Sequence, residues 1–222
     1  MLPIIPAIPL DSIERTLYAS ADITAAFVAS ISGAQAARQR RLDLFGLIII
    51  AYLTAMAGGI FRDLCIGALP PIGLADWRYL CATLAGGAIV LYAPQWFDRF
   101  KYPVAFFDAL ALGFYAVVGA QKALFYGHNA QVAILLGAAT AVGGGVVRDI
   151  LLARIPNILR KETYAIAALT NTDIQVLGNT LGWSATFTPW LGASACILIR
   201  LLSLKYGWHL PLSRTEDENR AQ

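Results

Sequence analysis

Charge is what this chain has least of. Only 14% of its 222 residues are Asp, Glu, Lys or Arg, where an average soluble domain has roughly 25%. Hydrophobic residues make up 58%, and the mean hydropathy is +0.60. So much apolar surface cannot be hidden inside a soluble chain of this length. That excludes a soluble globular domain and predicts an all-α integral membrane protein. The net charge of +3 is too small to suggest a nucleic-acid partner.

Histidine and cysteine are scarce as well. His128 and His209 stand alone, and Cys65, Cys81 and Cys196 follow no metal-site or redox spacing. No metal or other cofactor is expected, and the cysteines read as buried thiols. With no nucleophile–base arrangement and no nucleotide-loop spacing, an enzyme is not expected. The N-terminal stretch is apolar but has three prolines and no basic segment. It makes a poor signal peptide and a poor helix, so residues 1–13 read as an extended or interfacial lead-in.

What is present is a series of long apolar runs. A spanning helix needs about 20 such residues. Seven runs approach that length: 14–36, 43–66, 77–93, 104–124, 129–153, 162–182 and 187–206. The transmembrane domain is thus 14–206, and 207–222 is a polar cytoplasmic tail. Basic residues gather after alternate runs: Arg38, Arg40 and Arg41; Arg99 and Lys101; Arg154, Arg160 and Lys161; Lys205, Arg214 and Arg220. The opposite loops hold little beyond Arg15 and Arg78. The positive-inside rule then puts the N-terminus outside and the C-terminus in the cytoplasm of a multi-pass protein of the cell (inner) membrane.

The second and fifth runs carry an unusual stretch. Gly143-Gly144-Gly145-Val146-Val147-Arg148-Asp149 echoes Gly58-Gly59-Ile60-Phe61-Arg62-Asp63, 86 positions earlier. Overlaying 22–80 on 108–166 at that constant offset needs no gap. Asp22 meets Asp108, Gly33-Ala34-Gln35 meets Gly119-Ala120-Gln121, Thr54-Ala55 meets Thr140-Ala141, and Pro70 meets Pro156. Each copy holds three spanning helices, about 14–93 and 104–182. Three is odd, so the copies point opposite ways through the membrane, an inverted-topology repeat of the kind found in transporters and channels. The seventh helix, about 187–206, is left outside the repeat.

Gly-Ala-Gln followed by Gly-Gly-Gly-x-x-Arg-Asp-x-Leu-x-x-Arg-Ile-Pro resembles the trimeric intracellular cation (TRIC) channel family, in particular its prokaryotic branch, also described as glycine transporters. The resemblance covers roughly 14–205. It implies seven transmembrane helices (three, three inverted and one) in a homotrimer among membrane lipids. It also implies one hydrophilic pore per protomer for monovalent cations such as potassium and sodium. Two departures stand out. The first copy reads Ala57-Gly58-Gly59 in place of three glycines, and the Lys-Glu-Val motif of animal members is absent, with only Lys122 nearby.

The candidate pore or gating residues follow from the repeat: Gly58, Gly59, Gly143, Gly144, Gly145, Arg62, Asp63, Arg148, Asp149, Lys122, Asp22 and Asp108. At a rise of about 1.5 Å per residue, the glycines lie near mid-membrane and the arginines nearer opposite faces. Direct pairing of Arg62 with Asp149 is therefore not expected. The glycines either open the helix and free carbonyls toward a watery path or allow close packing; the triplet with its symmetric copy favours opening. Adjacent Arg and Asp point about 100° apart, so neither pair is expected to neutralise itself. The arginines are gate elements or anchors, or else they snorkel. Asp22 and Asp108 attract cations at a vestibule or suit a helix dipole. Lys122 sits at the interface or repels cations. A small-solute transporter remains the rival to a channel, and the apparent shortage of mid-membrane polar groups favours the channel.

Overall fold

The computed structural model describes residues 12–97, 99, 102–160, 162–184 and 187–206. Most of the lead-in, residues 1–11, and the tail at 207–222 lie outside them, as do Lys101, Lys161, Arg214 and Arg220. Regular structure among the described residues is entirely helical. Long helices α1 (Ser12–Gln39) and α2 (Leu44–Cys65) are followed by the single turn α3 (Ile72–Ala75), then α4 (Trp77–Tyr92) and the turn α5 (Pro94–Phe97). The second half repeats this plan with α6 (Pro103–Phe125), α7 (Ala130–Leu151), the turn α8 (Asn157–Arg160) and α9 (Glu162–Thr180), and α10 (Phe187–Tyr206) closes the series. Each apolar run has become one long helix. Five of these are long and apolar enough to cross a bilayer: α1 from Thr16, α2, α6, α7 and α10. The other two fall short because α4 has 16 residues and α9 carries Asn171, Asp173 and Gln175.

Local sequence explains the helix ends. Asp43 caps α2 by accepting from the Gly46 N–H at 2.7 Å. Asn129, its mate in the second half, caps α7 by accepting from the Val132 N–H at 2.9 Å. Pro103 opens α6, where its missing N–H is no loss. After α2 the chain turns at Gly67 with φ +71°, and after α7 at Ala153 with φ +51°.

α1 packs on α2 and α4, and α6 packs on α7 and α9. The two groups meet along α1–α6 and α2–α7, and α10 packs against α6 and α9. The gapless overlay needs one correction. Helices α2 and α7 begin 86 residues apart, but α3 and α8, and α4 and α9, begin 85 apart. Leu74 N–H donates to the Pro71 carbonyl as Leu159 N–H does to that of Pro156. Pro156 is therefore the mate of Pro71, not of Pro70, because the second half is one residue shorter in this loop.

The expectation that the glycines open their helices is also corrected. Both α2 and α7 are helical throughout, including Gly58–Gly59 and Gly143–Gly145. A Cβ on Gly58 would strike the Thr140 carbonyl, and one on Gly144 the Thr54 carbonyl. One on Gly143 would lie 3.0 Å from Gly58 Cα. The missing side chains thus let two helix backbones touch, the packing role of small residues in membranes. Thr54 and Thr140 hide their hydroxyls at this crossing by donating to Ile50 O at 2.6 Å and Leu136 O at 2.5 Å within their own helices.

Cys196 is buried, as expected, but Cys65 and Cys81 are exposed. The reason is that they face outward from α2 and α4, where apolar side chains also cover the outside of the bundle.

Candidate functional site

Two clusters of buried charge lie at the C-terminal ends of α2 and α7. In the first, Arg62 Nε donates to Asp63 Oδ1 at 2.8 Å. Its Nη2 lies 3.7 Å from Asp22 Oδ2 on α1. In the second, Arg148 Nε donates to Asp149 Oδ1 at 2.9 Å. Its Nη1 donates to Asp108 Oδ1 on α6 at 2.7 Å and to Ser32 Oγ on α1 at 2.8 Å. Both arginines are only 1% exposed. Neighbouring Arg and Asp therefore do pair, against the expectation from helix geometry, because the long arginine side chain folds back across the 100° between them. As expected, Arg62 and Asp149 belong to different clusters.

Each second aspartate also holds the loop that follows. Asp63 Oδ2 accepts from the Ile72 N–H at 3.0 Å, and Asp149 Oδ2 from the Asn157 N–H at 3.1 Å. Lys122 Nζ on α6 donates to Asp63 Oδ1 at 2.8 Å, so Lys122 is an ion-pair partner and not a free interfacial cation. Asp22 and Asp108 are buried inside the bundle. Asp22 is well inside α1, which rules out the helix-end reading for it. Arg62 Nη1 and Asp108 Oδ2 are buried without a hydrogen-bond partner.

Residues the sequence reading missed complete the clusters. Tyr79 Oη donates to Asp22 Oδ2 at 2.8 Å. Tyr164 places its hydroxyl beside Asp108 and Gly145. These tyrosines are mates at offset 85, and the gapless overlay set Tyr79 against Ala165. Asn171, Thr172, Gln175 and Arg200 are buried too, so polar groups inside the bundle are not scarce. Several pair with each other: Gln175 Nε2 donates to Gln121 Oε1 at 2.7 Å, and Asn171 Nδ2 to Gly113 O at 2.8 Å.

A cavity adjoins each cluster. The first, about 560 Å³, is bordered by Tyr18 and Asp22 of α1, the loop 67–70, Tyr79, and Gln121 and Lys122 near the end of α6. The second, about 480 Å³, is bordered by Arg40 after α1, Val104 at the start of α6, and Arg148, Asp149, Arg154 and Asn157. One lies at the N-terminal half of α1 and the C-terminal end of α6; the other lies at the reverse ends. They therefore open at opposite ends of the bundle. Their borders are repeat mates: Tyr18 with Val104, Tyr126 with Arg40, Leu69 with Ile155. Charge differs between them. Asp22 and Lys122 balance in the first, whereas three arginines outnumber Asp149 in the second. Partial burial and the nearby Arg40 pull the Arg154 pKa below its usual value.

The clusters are about 15 Å apart along α1, the rise over the ten residues from Asp22 to Ser32. Between them the α2–α7 backbones touch, and Tyr115 Oη donates to the Ala55 carbonyl at 2.6 Å.

Relatives place this geometry in context. A family model described as glycine transporter matches the chain twice, over residues 19–95 and 105–178. A UPF0126 membrane protein of Vibrio cholerae is 32% identical over 90% of this chain and 84% of its own length. A UPF0126 inner membrane protein of Escherichia coli is 30% identical over 89% and 96%. The solved TRIC trimeric intracellular cation channel orthologue from Rhodobacter sphaeroides superposes with a TM-score of 0.83 at 29% identity. That match covers 87% of this chain and 100% of that one. Solved structural neighbours are ion channels and not enzymes. With both repeats matched and a TRIC structure superposing along its whole length, the chain is a membrane protein of the prokaryotic TRIC channel family, whose domain model carries the glycine-transporter description.

Proposed function

We propose that this protein is a potassium-permeable channel for monovalent cations, a homotrimer with one pore in each protomer. The pore runs from the Asp22–Lys122 cavity to the Arg40–Arg154 cavity, between α1, α2, α6 and α7. Residues 14–206 form the channel domain, as two inverted three-helix repeats and a seventh helix. The N-terminus is outside and the C-terminus cytoplasmic, so the Asp22 cavity is the outer vestibule and the Arg154 cavity the inner one. The observation that carries this reading is the pair of repeat-related cavities at opposite ends of the bundle, one bordered by Asp22 and Lys122 and the other by Arg148 and Asp149. In this conformation the Gly58–Gly144 crossing closes the path, and Arg62 and Arg148 guard its two ends. The relative from Rhodobacter, a trimeric cation channel by name, supports the same reading.

A second reading, a transporter of a small zwitterion such as glycine, has one observation in its favour beyond the family model's description. Asp22 and Lys122 face the same outer cavity with opposite charges, as the two ends of an amino acid require. Planar-bilayer recording of the purified protein separates the two. Discrete unitary steps in symmetric potassium solution are expected; saturable glycine uptake by proteoliposomes without such steps would overturn the channel.

A further inference from the structure

Four of the long helices form a square. α1 and α7 each pack on both α2 and α6, so α2 faces α6, and α1 faces α7, across the centre. Side chains span that centre at three levels. At one end Lys122 of α6 donates to Asp63 of α2 at 2.8 Å. At the other, Arg148 of α7 donates to Ser32 of α1 at 2.8 Å. Between them the Tyr115 hydroxyl of α6 donates to the Ala55 carbonyl of α2 at 2.6 Å. The end links belong to the charge clusters, and the middle one belongs to neither.

Spacing along α6 gives Tyr115 its level. It lies seven residues after Asp108 and seven before Lys122. Seven residues come within about 20° of two full turns and rise about 10.5 Å. The three side chains therefore leave one face of α6, with the tyrosine midway between the inner cluster and the outer cavity. Their mates on α1 are Asp22, Ala29 and Ala36, so the same place in the first half holds only a methyl group. Tyr115 is 5% exposed, and its core cluster is rich in alanine, with Ala25, Ala26, Ala29, Ala55, Ala111 and Ala141. One aromatic ring thus fills a centre lined by small side chains. A buried tyrosine hydroxyl needs a partner, and the Ala55 carbonyl, which has two lone pairs, supplies one on the far side of the square.

We infer that Tyr115 sets the width of the path at its midpoint and so limits the size of the cation that passes: its ring stands across the square, held there by the bond to α2. The size limit rests on the channel reading. The blocked centre does not.

Two variants separate the ring from the bond. Y115F keeps the ring and loses the bond; Y115A removes both. Planar bilayers with potassium on one side and tetramethylammonium on the other read the width. Wild type and Y115F are expected to exclude the larger cation. Y115A passes it, so its reversal potential moves toward zero, and its unitary potassium conductance rises. A wild type that already passes tetramethylammonium, a Y115A as selective as wild type, or a Y115F as leaky as Y115A overturns the inference. A second measurement needs no current. With the exposed Cys65 and Cys81 changed to serine, A29C puts a thiol at the repeat mate of Tyr115. A charged methanethiosulfonate is expected to label it in the Y115A background and not in the wild-type or Y115F background. Labelling that does not depend on residue 115 overturns the inference, so silent bilayers with the expected labelling count against the channel reading alone. Should Y115A not fold, Y115L takes its place in both assays. Leucine is shorter than tyrosine, so smaller shifts in the same directions are expected, and their absence overturns the inference.

Discussion

Replacing Gly58 and Gly59 by alanine, one at a time, separates two properties of glycine in α2. Either substitution relieves the helix of glycine's intrinsic penalty, about 0.8–1 kcal/mol. Only the first meets an obstacle. A Cβ at 58 strikes the Thr140 carbonyl, a backbone atom that moves only if α7 moves. At 59 the nearest atom is the flexible end of Arg62, at 3.9 Å. Forcing a methyl into a packed interface costs typically about 1–3 kcal/mol. G59A is therefore expected to stabilise by up to about 1 kcal/mol, and G58A to destabilise by roughly 0–2 kcal/mol. G144A mirrors G58A, because its Cβ strikes the Thr54 carbonyl at the same crossing. One separation of α2 from α7 relieves both clashes, so the G58A/G144A double variant costs less than the sum of its parts. By the same geometry the larger side chain of Gly144→Leu drives α2 and α7 apart and disrupts the bundle. The assay is thermal or SDS-induced unfolding in detergent micelles, with each variant against wild type. Equal effects at 58 and 59, or a stabilised G58A, would refute close backbone contact as the reason for these glycines.

Three further outcomes follow from the charge clusters and one turn. R148Q strips Asp108 and Asp149 of their buried cation and is expected to cost roughly 3–5 kcal/mol. R62Q costs less in the same unfolding assay because Asp63 keeps Lys122 and Asp22 keeps Tyr79; equal losses would contradict these pairings. K122M removes a charged hydrogen bond worth about 1.5–3 kcal/mol and, among the described residues, the one basic side chain bordering the Asp22 cavity. Under the channel reading, its unitary potassium conductance should exceed wild type at low ionic strength and converge with it at high salt, and an unchanged conductance at low salt would sink the idea. A153G removes a left-handed non-glycine residue at φ +51°, with a gain of about 1 kcal/mol in melting experiments; a lowered melting temperature would show that the Ala153 side chain contributes packing.

The parts legible in the sequence are those that depend on neighbours along the chain. Run length alone placed all seven long helices, and identity at a fixed offset matched Asp22 with Asp108 and the two Arg–Asp pairs. The parts that stayed hidden depend on neighbours in space. A glycine triplet reads equally as a break or as a contact surface until the opposing atoms are known. A signal was present, however: Thr54 and Gly58, like Thr140 and Gly144, are four apart, the small-xxx-small spacing of touching helices. Tyr79 and Tyr164 were hidden by one residue missing just before Pro156. The overlay stayed in register through α2 and α7 and slipped just before the tyrosines. Arg200 was masked by position, since one arginine near the basic end of an apolar run looks like any other interfacial charge.

The coupling between loop and lock follows from how Asp63 and Asp149 divide their oxygens. One oxygen of each binds the arginine of its own helix, and the other binds the first N–H of the short helix that follows. Those short helices and their loops border the cavities. A shift of α3 or α8 that widens a cavity therefore pulls on the same carboxylate that pairs with the arginine of that half. In the outer half that pull is shared, because Lys122 also holds Asp63 and Tyr79 already occupies Asp22. In the inner half no lysine among the described residues pairs with Asp149, and Arg148 joins α1, α6 and α7 through Ser32, Asp108 and Asp149, with Ser32 Oγ also donating to the Val104 carbonyl of α6. Under the channel reading, opening the inner end must break a three-helix junction at a single guanidinium. Opening the outer end only redistributes partners that are already shared. The repeat is symmetric in backbone, but its charge is not, and under the channel reading the Arg148 junction is where the larger barrier to ion flow lies.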